Sequence, residues 1–306
     1  MKKTQILLST YNGEKHLREQ LDSFINLNNF KDIKVLIRDD GSNDGTIAIL
    51  KEYEEKYNFE IILGKNVGLA KSMFELMARC DMECEYFSFS DQDDVWLPNK
   101  LERAVKSLEK ENPQKPVLYG CRSSLTDEKL NIFGNTATPK REISFYNAMI
   151  QNVIPGHTQV CNRTLINLIR TRYSDKIYMI DLWFYMVASS VGKIVFDTEC
   201  TTLYRQHKNN TLGYETNFIK KNIQRLKRLH KKETHKNIVM LYDMCNKYSD
   251  IMPAEHVEEL KKFFSMQHSF INRLRYIITT KAYRQSGYEN IIFRVMYLLG
   301  KYNLEQ

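Results

Sequence analysis

No apolar run in this sequence approaches the roughly 20 residues that a membrane-crossing helix requires. The most apolar stretch, IYMIDLWFYMVASSV at 177–191, is too short and carries Asp181 within it. The N-terminus, MKKTQILLSTYN, sets only a very short apolar run behind its lysines, which fits a first strand better than a signal peptide. A cytoplasmic protein is therefore expected. Cysteine is sparse and scattered, at Cys80, Cys84, Cys121, Cys161, Cys200 and Cys245. Cys80 and Cys84 are spaced CxxxC with no second pair and no paired histidines, which is not zinc-site spacing. Reduced, mostly buried thiols are expected instead. The glycine-rich fingerprint GxGxxG is missing after the first apolar run, where STYNGE has a single glycine, and no GxxxxGK[ST] phosphate loop occurs. These absences argue against a dehydrogenase and a P-loop nucleotidase. The chain also lacks internal repeats and low-complexity tracts.

What remains is an ordinary globular composition, 42% hydrophobic over 306 residues, enough for one large domain or two small ones. The net charge of +8 is unevenly placed. Residues 1–212 hold 28 Lys+Arg and 28 Asp+Glu, whereas residues 213–306 hold 17 and 9. The asymmetry predicts a boundary near residue 213 and a C-terminal part that faces something anionic.

Strand-like runs at 4–8, 33–37, 60–63, 86–90 and 116–120 alternate with helical spacing at 14–27, 46–57, 69–79 and 99–110. This alternation predicts an α/β domain with a largely parallel sheet and helices on both faces. In such sheets ligands bind beyond the carboxyl ends of the strands. Three polar loops, STYN, DDGSND and SDQDD, each follow a strand and so fall on one edge. From about residue 215 the chain reads as helices.

The stretch FSFSDQDDVWLPNKL, 87–101, crowds Asp91, Asp93 and Asp94 directly after a strand. Like charges so close need an offset. A divalent cation is one, because carboxylates two apart at a strand end can share a hard ion. A polar loop with Asp94 near a helix start, favoured by the helix dipole, is the other reading.

Taken in order, STYNGEKHLREQLDS, RDDGSNDGT, FSDQDDVW, IDLWF and LYRQHKNNT resemble the family 2 glycosyltransferases of the GT-A fold. The SDQDDVW and YRQH wording is most similar to bacterial rhamnosyltransferases of cell-wall and surface-polysaccharide assembly. The resemblance covers roughly residues 4–212 and covers the C-terminal helices poorly. It implies a GT-A catalytic domain over 1–212, a basic helical region over 213–306, and an inverting transferase that uses a nucleotide-activated sugar and Mg²⁺ or Mn²⁺. The implied donor is dTDP-rhamnose, or alternatively a UDP-hexose. The implied acceptor is a hydroxyl of a glycan, free or lipid-linked. A nucleotide-binding protein without transferase activity and a phosphoacceptor-type switch are weighed as further classes; intact Asp93, Asp181 and His207 argue against the first, and the chain's length and lack of an output domain against the second.

The resemblance assigns residues as follows. Thr10, Tyr11, Asp40, Lys71, Asp91, Gln92 and Arg205 are expected at the nucleotide-sugar, with the nucleoside ring against Tyr11 and Asp40 accepting from the pyrimidine N3–H. Lys71 reads equally as a solvated helix charge. Asp39 either joins them or hydrogen-bonds the GSND turn; Asn66 flanks a loop that can reach the nucleotide. Asp91, Asp93 and His207 are the expected metal ligands, with Asp94 capping a helix or supporting the others. Trp96 reads as core. Asp181, a carboxylate in an apolar run, is costly unless paired or functional, and the family places its general base there. The family usually has ED or HD at that point. Here Ile180 precedes the aspartate, so a polar contact is lost; an N-cap role for Asp181 is the plain alternative. Gly156 and His157 are expected to border the acceptor side, His157 without a catalytic role.

The segment 217–236, NFIKKNIQRLKRLHKKETHK, is an amphipathic basic helix by its spacing. It is expected either at the anionic inner face of the membrane or packed on the catalytic domain or a second subunit. No nucleic-acid fold accompanies the charge, so nucleic acid is not expected.

Overall fold

The computed structural model of the chain describes residues 4–207 and 232–304. Strands β1 (Thr4–Thr10), β2 (Ile33–Asp39), β3 (Glu60–Leu63) and β4 (Tyr86–Ser90) pair in parallel in the order β3-β2-β1-β4. Helices α1 (Leu17–Ile25), α2 (Thr46–Tyr57) and α3 (Leu69–Arg79) connect them. Both faces of this half-sheet are covered, which is why its strands read as continuous apolar runs. Ile6, Leu8, Val35 and Ile37 point into one core with Leu17, Leu21, Phe24, Leu50 and Tyr53. Leu7, Leu36, Phe87 and Phe89 point into the other, with Met73, Leu76 and Met77 of α3.

Beyond β4 the sheet departs from the parallel expectation. The order continues β8 (Val160–Asn162), β6 (Val117–Thr126), β9 (Lys193–Arg205) and β5 (Val95–Trp96), and β7 (Ile132–Asn135) pairs with β6. β8 is antiparallel to both β4 and β6, and β5 is antiparallel to β9. The sheet is therefore mixed. β6 runs well past the expected end at residue 120 because RSSLT keeps pairing with β9, across two register shifts. Helices α4 (Lys100–Leu108), α5 (Phe145–Ala148), α6 (Arg163–Thr171) and α7 (Ile180–Val191) complete this half. α7 is buried almost all round, which explains its apolar composition.

Helices α8 (Lys232–Tyr248), α9 (Ala254–Ser265), α10 (Phe270–Thr279) and α11 (Gly287–Leu298) follow. Their buried residues join the core that holds α7: Trp183 lies 5.8 Å from Tyr248, and Met244, Leu260, Phe263, Tyr276 and Tyr297 belong to the same cluster. The expected basic helix lies outside the described residues over 217–231; α8 takes up its last positions. Among the described residues no helix is long and apolar enough to cross a membrane.

The turn from α7 into β9 is tight. A Cβ on Gly192 would stand 2.0 Å from the Pro116 carbonyl oxygen, which itself accepts from the Lys193 amide at 2.9 Å. Gly192→Ala must push β9 off β6, and the expected loss is about 1–3 kcal/mol in urea unfolding. An unchanged midpoint would show that the β6–β9 join yields freely.

Candidate active site

The register sets the carboxyl ends of β2, β1 and β4 side by side: Thr10 pairs with Asp39, and Leu8 with Ser90. The three polar loops that follow are physically joined. Gln92 Oε1 accepts from Thr10 Oγ1 at 2.6 Å and from the Tyr11 amide at 2.9 Å, while its Nε2 donates to the Tyr11 carbonyl at 3.1 Å. Only glycine fits beside this bridge at position 13, where a Cβ would meet Gln92 Oε1 at 2.5 Å. Tyr11 itself is 45% exposed at the mouth of the cleft, and Lys71 is exposed in the first turn of α3.

Asp39 takes the turn-holding place: its carboxylate accepts from the Gly41 amide at 3.1 Å and from the Ser42 amide and hydroxyl at 2.9 and 2.5 Å. Asp40 is buried, holding Arg38 Nη1 at 2.5 Å and the Val67 and Gly68 amides at 2.9 Å each. Gly68 supplies the left-handed φ of +83° that this loop requires. Asp40 thus anchors the loop carrying Asn66.

The acidic loop has an open side and a buried side. Asp93 Oδ2 lies 2.7 Å from His207 Nε2 in a partly buried pair, and His207 stacks on His16 at 5.4 Å. Asp91 is half-exposed, whereas the Asp94 side chain is fully buried. Asp91, Asp94 and His157 bring one ligand atom each within 4.8 Å of one another. Asp93 and His207 stand outside this trio. The expected set of Asp91, Asp93 and His207 is therefore divided between two adjoining groups.

The buried side explains how the loop is held. Arg205 is 1% exposed, with Nε donating to the Asp93 carbonyl at 2.9 Å, Nη1 to the Glu128 carbonyl and Nη2 to Glu19. Its amide donates to Asp94 Oδ1 at 3.2 Å. Arg205 thus lies behind the loop, not at the open face where a phosphate contact was expected. Lys100, also fully buried, donates to the His157 carbonyl at 2.8 Å and Thr202 Oγ1 at 3.0 Å, and lies 4.6 Å from the Trp96 ring. Trp96 is core, packed on Phe24. Asp94 does not cap a helix, since the N-cap position of α4 is Asn99. Its Oδ2 is buried without a hydrogen-bond partner.

Burial first, then the charges of Asp91 and Asp93, push Asp94 well above the usual carboxylate range. Asp91 is raised too, by burial and by Asp93 and Asp181, but its exposed side limits the effect. Burial, with the Lys100 charge adding, pulls His157 down to about 3, so the ring is neutral. Its Nε2 lies 2.8 Å from Ser123 Oγ, and its Nδ1 stands 3.8 Å from both Asp91 and Asp94. His157 therefore belongs to the floor beneath the acids.

Asp181 lies inside the first turn of α7, whose N-cap is Met179, so the N-cap reading is corrected. Its Oδ1 accepts from the Leu182 amide and its Oδ2 from Asn152 Nδ2, both at 2.8 Å. Burial raises its pKa, while these two hydrogen bonds favour the charged form. Asn152 supplies a polar contact from another segment where Ile180 offers none. Sequence reading missed it, because nothing in NVIPGHTQV marks that asparagine apart from its neighbours. Gly156 packs against the same aspartate, since a Cβ there would lie 3.4 Å from Asp181 Cβ.

The donor chemistry of both groups, carboxylate oxygen and imidazole nitrogen, fits Mg²⁺ or Mn²⁺. The orphaned Asp94 Oδ2 fits a bound cation as well. Removing Lys100 tests the floor independently of any ligand. Lys100→Met strips hydrogen bonds from two buried acceptors, and the expected cost is about 1–3 kcal/mol. Wild-type urea stability in this variant would contradict the supporting role.

The comparisons agree with this geometry. The description "Glycosyl transferase family 2" matches residues 5–170. The dTDP-rhamnosyl transferase RfbG of Shigella flexneri is 30% identical over 228 residues, spanning 69% of this chain and 75% of that protein. An uncharacterized glycosyltransferase of Rickettsia prowazekii is 25% identical over 98% of this chain and 92% of its own length. Among solved structures, S. aureus TarS 1–349 in complex with UDP-GlcNAc matches with TM-score 0.58 at 16% identity, over 98% of this chain and 90% of that one. The mannosyltransferase PcManGT of Pyrobaculum calidifontis, in complex with GDP-Man and Mn²⁺, matches with TM-score 0.52 at 13% identity, over 98% and 86%. Fold, loop placement and sequence match converge: the chain belongs to glycosyl transferase family 2 and has the GT-A fold.

Proposed function

We propose that this glycosyltransferase moves L-rhamnose from dTDP-rhamnose to a hydroxyl of a cell-wall or surface-polysaccharide glycan, with inversion at the anomeric carbon. The observation that carries the chemistry is the partly buried Asp181 carboxylate, held by the Leu182 amide and Asn152 Nδ2 at 2.8 Å each. Asp181 takes the proton from the acceptor hydroxyl. The acceptor oxygen forms a bond to the anomeric carbon as the bond to the diphosphate breaks. The electron pair leaves with the nucleoside diphosphate. One displacement needs one base, so no second carboxylate is required for a covalent intermediate.

Tyr11 offers its exposed ring to the nucleoside, and Lys71 and the Asn66 loop close the same end. Asp40 supports that loop through the Val67 and Gly68 amides. Asp93 and His207, with Asp91 shared, would hold a divalent cation. When bound, the cation supplies Lewis-acid stabilisation to a leaving diphosphate. A second reading seats it on Asp91, Asp94 and His157, and the orphaned Asp94 Oδ2 favours this. The dTDP-rhamnosyl relative, 30% identical, supports the donor assignment.

Calorimetric titration with Mn²⁺ separates the two ligand sets. Loss of binding in Asp93→Asn and His207→Ala, with His157→Ala unaffected, is expected; the reverse pattern transfers the ion to the buried trio. For the donor, dTDP-rhamnose is expected to raise the unfolding temperature more than UDP-hexoses, a ligand at a hundred times its dissociation constant giving about 2.7 kcal/mol. A larger response to a UDP-sugar would replace the rhamnose assignment.

Asp181→Asn is expected to lower turnover about 10²–10⁴-fold while donor binding survives. Because the Asp181 pKa is raised, the base is active above that pKa and rate is lost as pH falls through it. Asn152→Ala removes a bond that favours the carboxylate, so the acid limb moves to higher pH. An acid limb that stays put in Asn152→Ala, or survives in Asp181→Asn, assigns the base elsewhere.

A further inference from the structure

The last two helices turn apolar side chains outward. On α10, Phe270, Ile271, Leu274 and Ile278 are 40–71% exposed. On α11 and its C-cap, Tyr288, Ile291, Val295 and Leu299 are 47–62% exposed. Helical spacing puts each set on one arc, where a solvated helix would be polar. These arcs are not loose ends. Tyr276 and Tyr297 pack at 4.4 Å on the opposite side, beside Phe263, and their hydroxyls bond Glu259 Oε1 at 2.9 Å and the Phe263 carbonyl at 2.6 Å. Arg294 ties α11 to the Ile277 carbonyl of α10.

The charge around the arcs identifies the occupant. Residues 266–304 contain six Lys/Arg against one acid, Glu289, which is buried. Arg275 and Lys301 are exposed, while Lys281, also exposed, pairs with Glu255 of α9 at 3.1 Å. A second copy of this face would set like charges against each other. Nucleic acid would meet the cations and leave the isoleucines in water. A surface that is anionic outside and apolar just beneath satisfies both features. We propose that the outward face of α10 and α11 docks on an anionic phospholipid bilayer.

The connection between these helices also reaches the catalytic domain. Arg284 Nη2 donates to the Ile150 carbonyl at 2.8 Å, the Gln285 amide to Gln151 Oε1 at 2.8 Å, and Gln151 Nε2 to Glu289 Oε2 at 3.1 Å. The next residue is Asn152, the partner of Asp181. Docking therefore holds the acceptor side near the bilayer, as a lipid-anchored acceptor requires; this last step alone rests on the transferase reading.

The test is co-sedimentation of the full chain with phosphatidylcholine vesicles, with and without phosphatidylglycerol, in the absence of donor and acceptor. Binding is expected only with phosphatidylglycerol and is expected to weaken with salt. The double variant Ile278→Asp/Ile291→Asp changes exposed positions, so its thermal unfolding should match wild type while its binding falls about tenfold or more. Wild-type protein that stays in solution with anionic vesicles at low salt overturns the proposal. So does a double variant that binds as wild type does, which would assign the attraction to the basic segment before α8. A wild-type dimer that the double variant dissolves, with no vesicle binding by either, would give the face to a second copy.

Discussion

Electrostatic crowding at the end of β4 is the constraint on which the rest of this structure depends. Asp91, Asp93 and Asp94 fall within four positions, and Asp181 comes from another segment to the same cleft. Two unit charges 4 Å apart at an effective dielectric constant near 20 interact by about 4 kcal/mol. That is a large part of the roughly 5–15 kcal/mol by which a domain is stable. The chain meets this cost with the basic side chains of Arg205 and Lys100, buried behind the loop, and burial pushes the most enclosed carboxyl, Asp94, well above the usual carboxylate range. Asp91 keeps a half-exposed carboxylate, and Asp93 is partly buried against His207.

The same arrangement explains why so many polar residues near the cleft are buried. Asp39, Asp40, Arg205 and His157 are each held by backbone amides, carbonyls or side chains of the surrounding loops. They fix the positions of Tyr11, Asp91, Asp93 and Asp181. Pre-set geometry of this kind lowers the ordering cost of binding. It also makes single substitutions at the supports expensive, since each leaves a buried partner unpaired.

The sequence made the parallel half of the fold legible, because strands covered on both faces are continuous apolar runs and each ends in a polar loop. The antiparallel half was hidden. β8 and β5 are too short for periodicity, and β9 carries Asp197 and Glu199 in positions that pattern rules reserve for loops. Motif wording pointed to Asp91, Asp93, Asp181 and His207. It did not distinguish residues facing the cleft from residues propping it, so Arg205 reads as a phosphate ligand and Asp94 as a cap. Lys100 and Asn152 went unremarked because their roles depend on contacts 57 and 29 positions away. Burial is a property of the assembled chain, and no local pattern encodes it.

Arg205 meets Glu19 across 186 positions, and it meets Asp94 across 111. Joining segments so far apart costs loop-closure entropy, which rises with the logarithm of the separation, and long-range pairings form slowly. During synthesis the parallel strands β1–β4 emerge long before β9. Until β9 inserts beside β6, the acidic loop has no Arg205 behind it and no Thr202 to engage Lys100. The nascent chain can therefore assemble its nucleotide-side loops early, but its acidic cleft takes shape only after the ninth strand has cleared the ribosome.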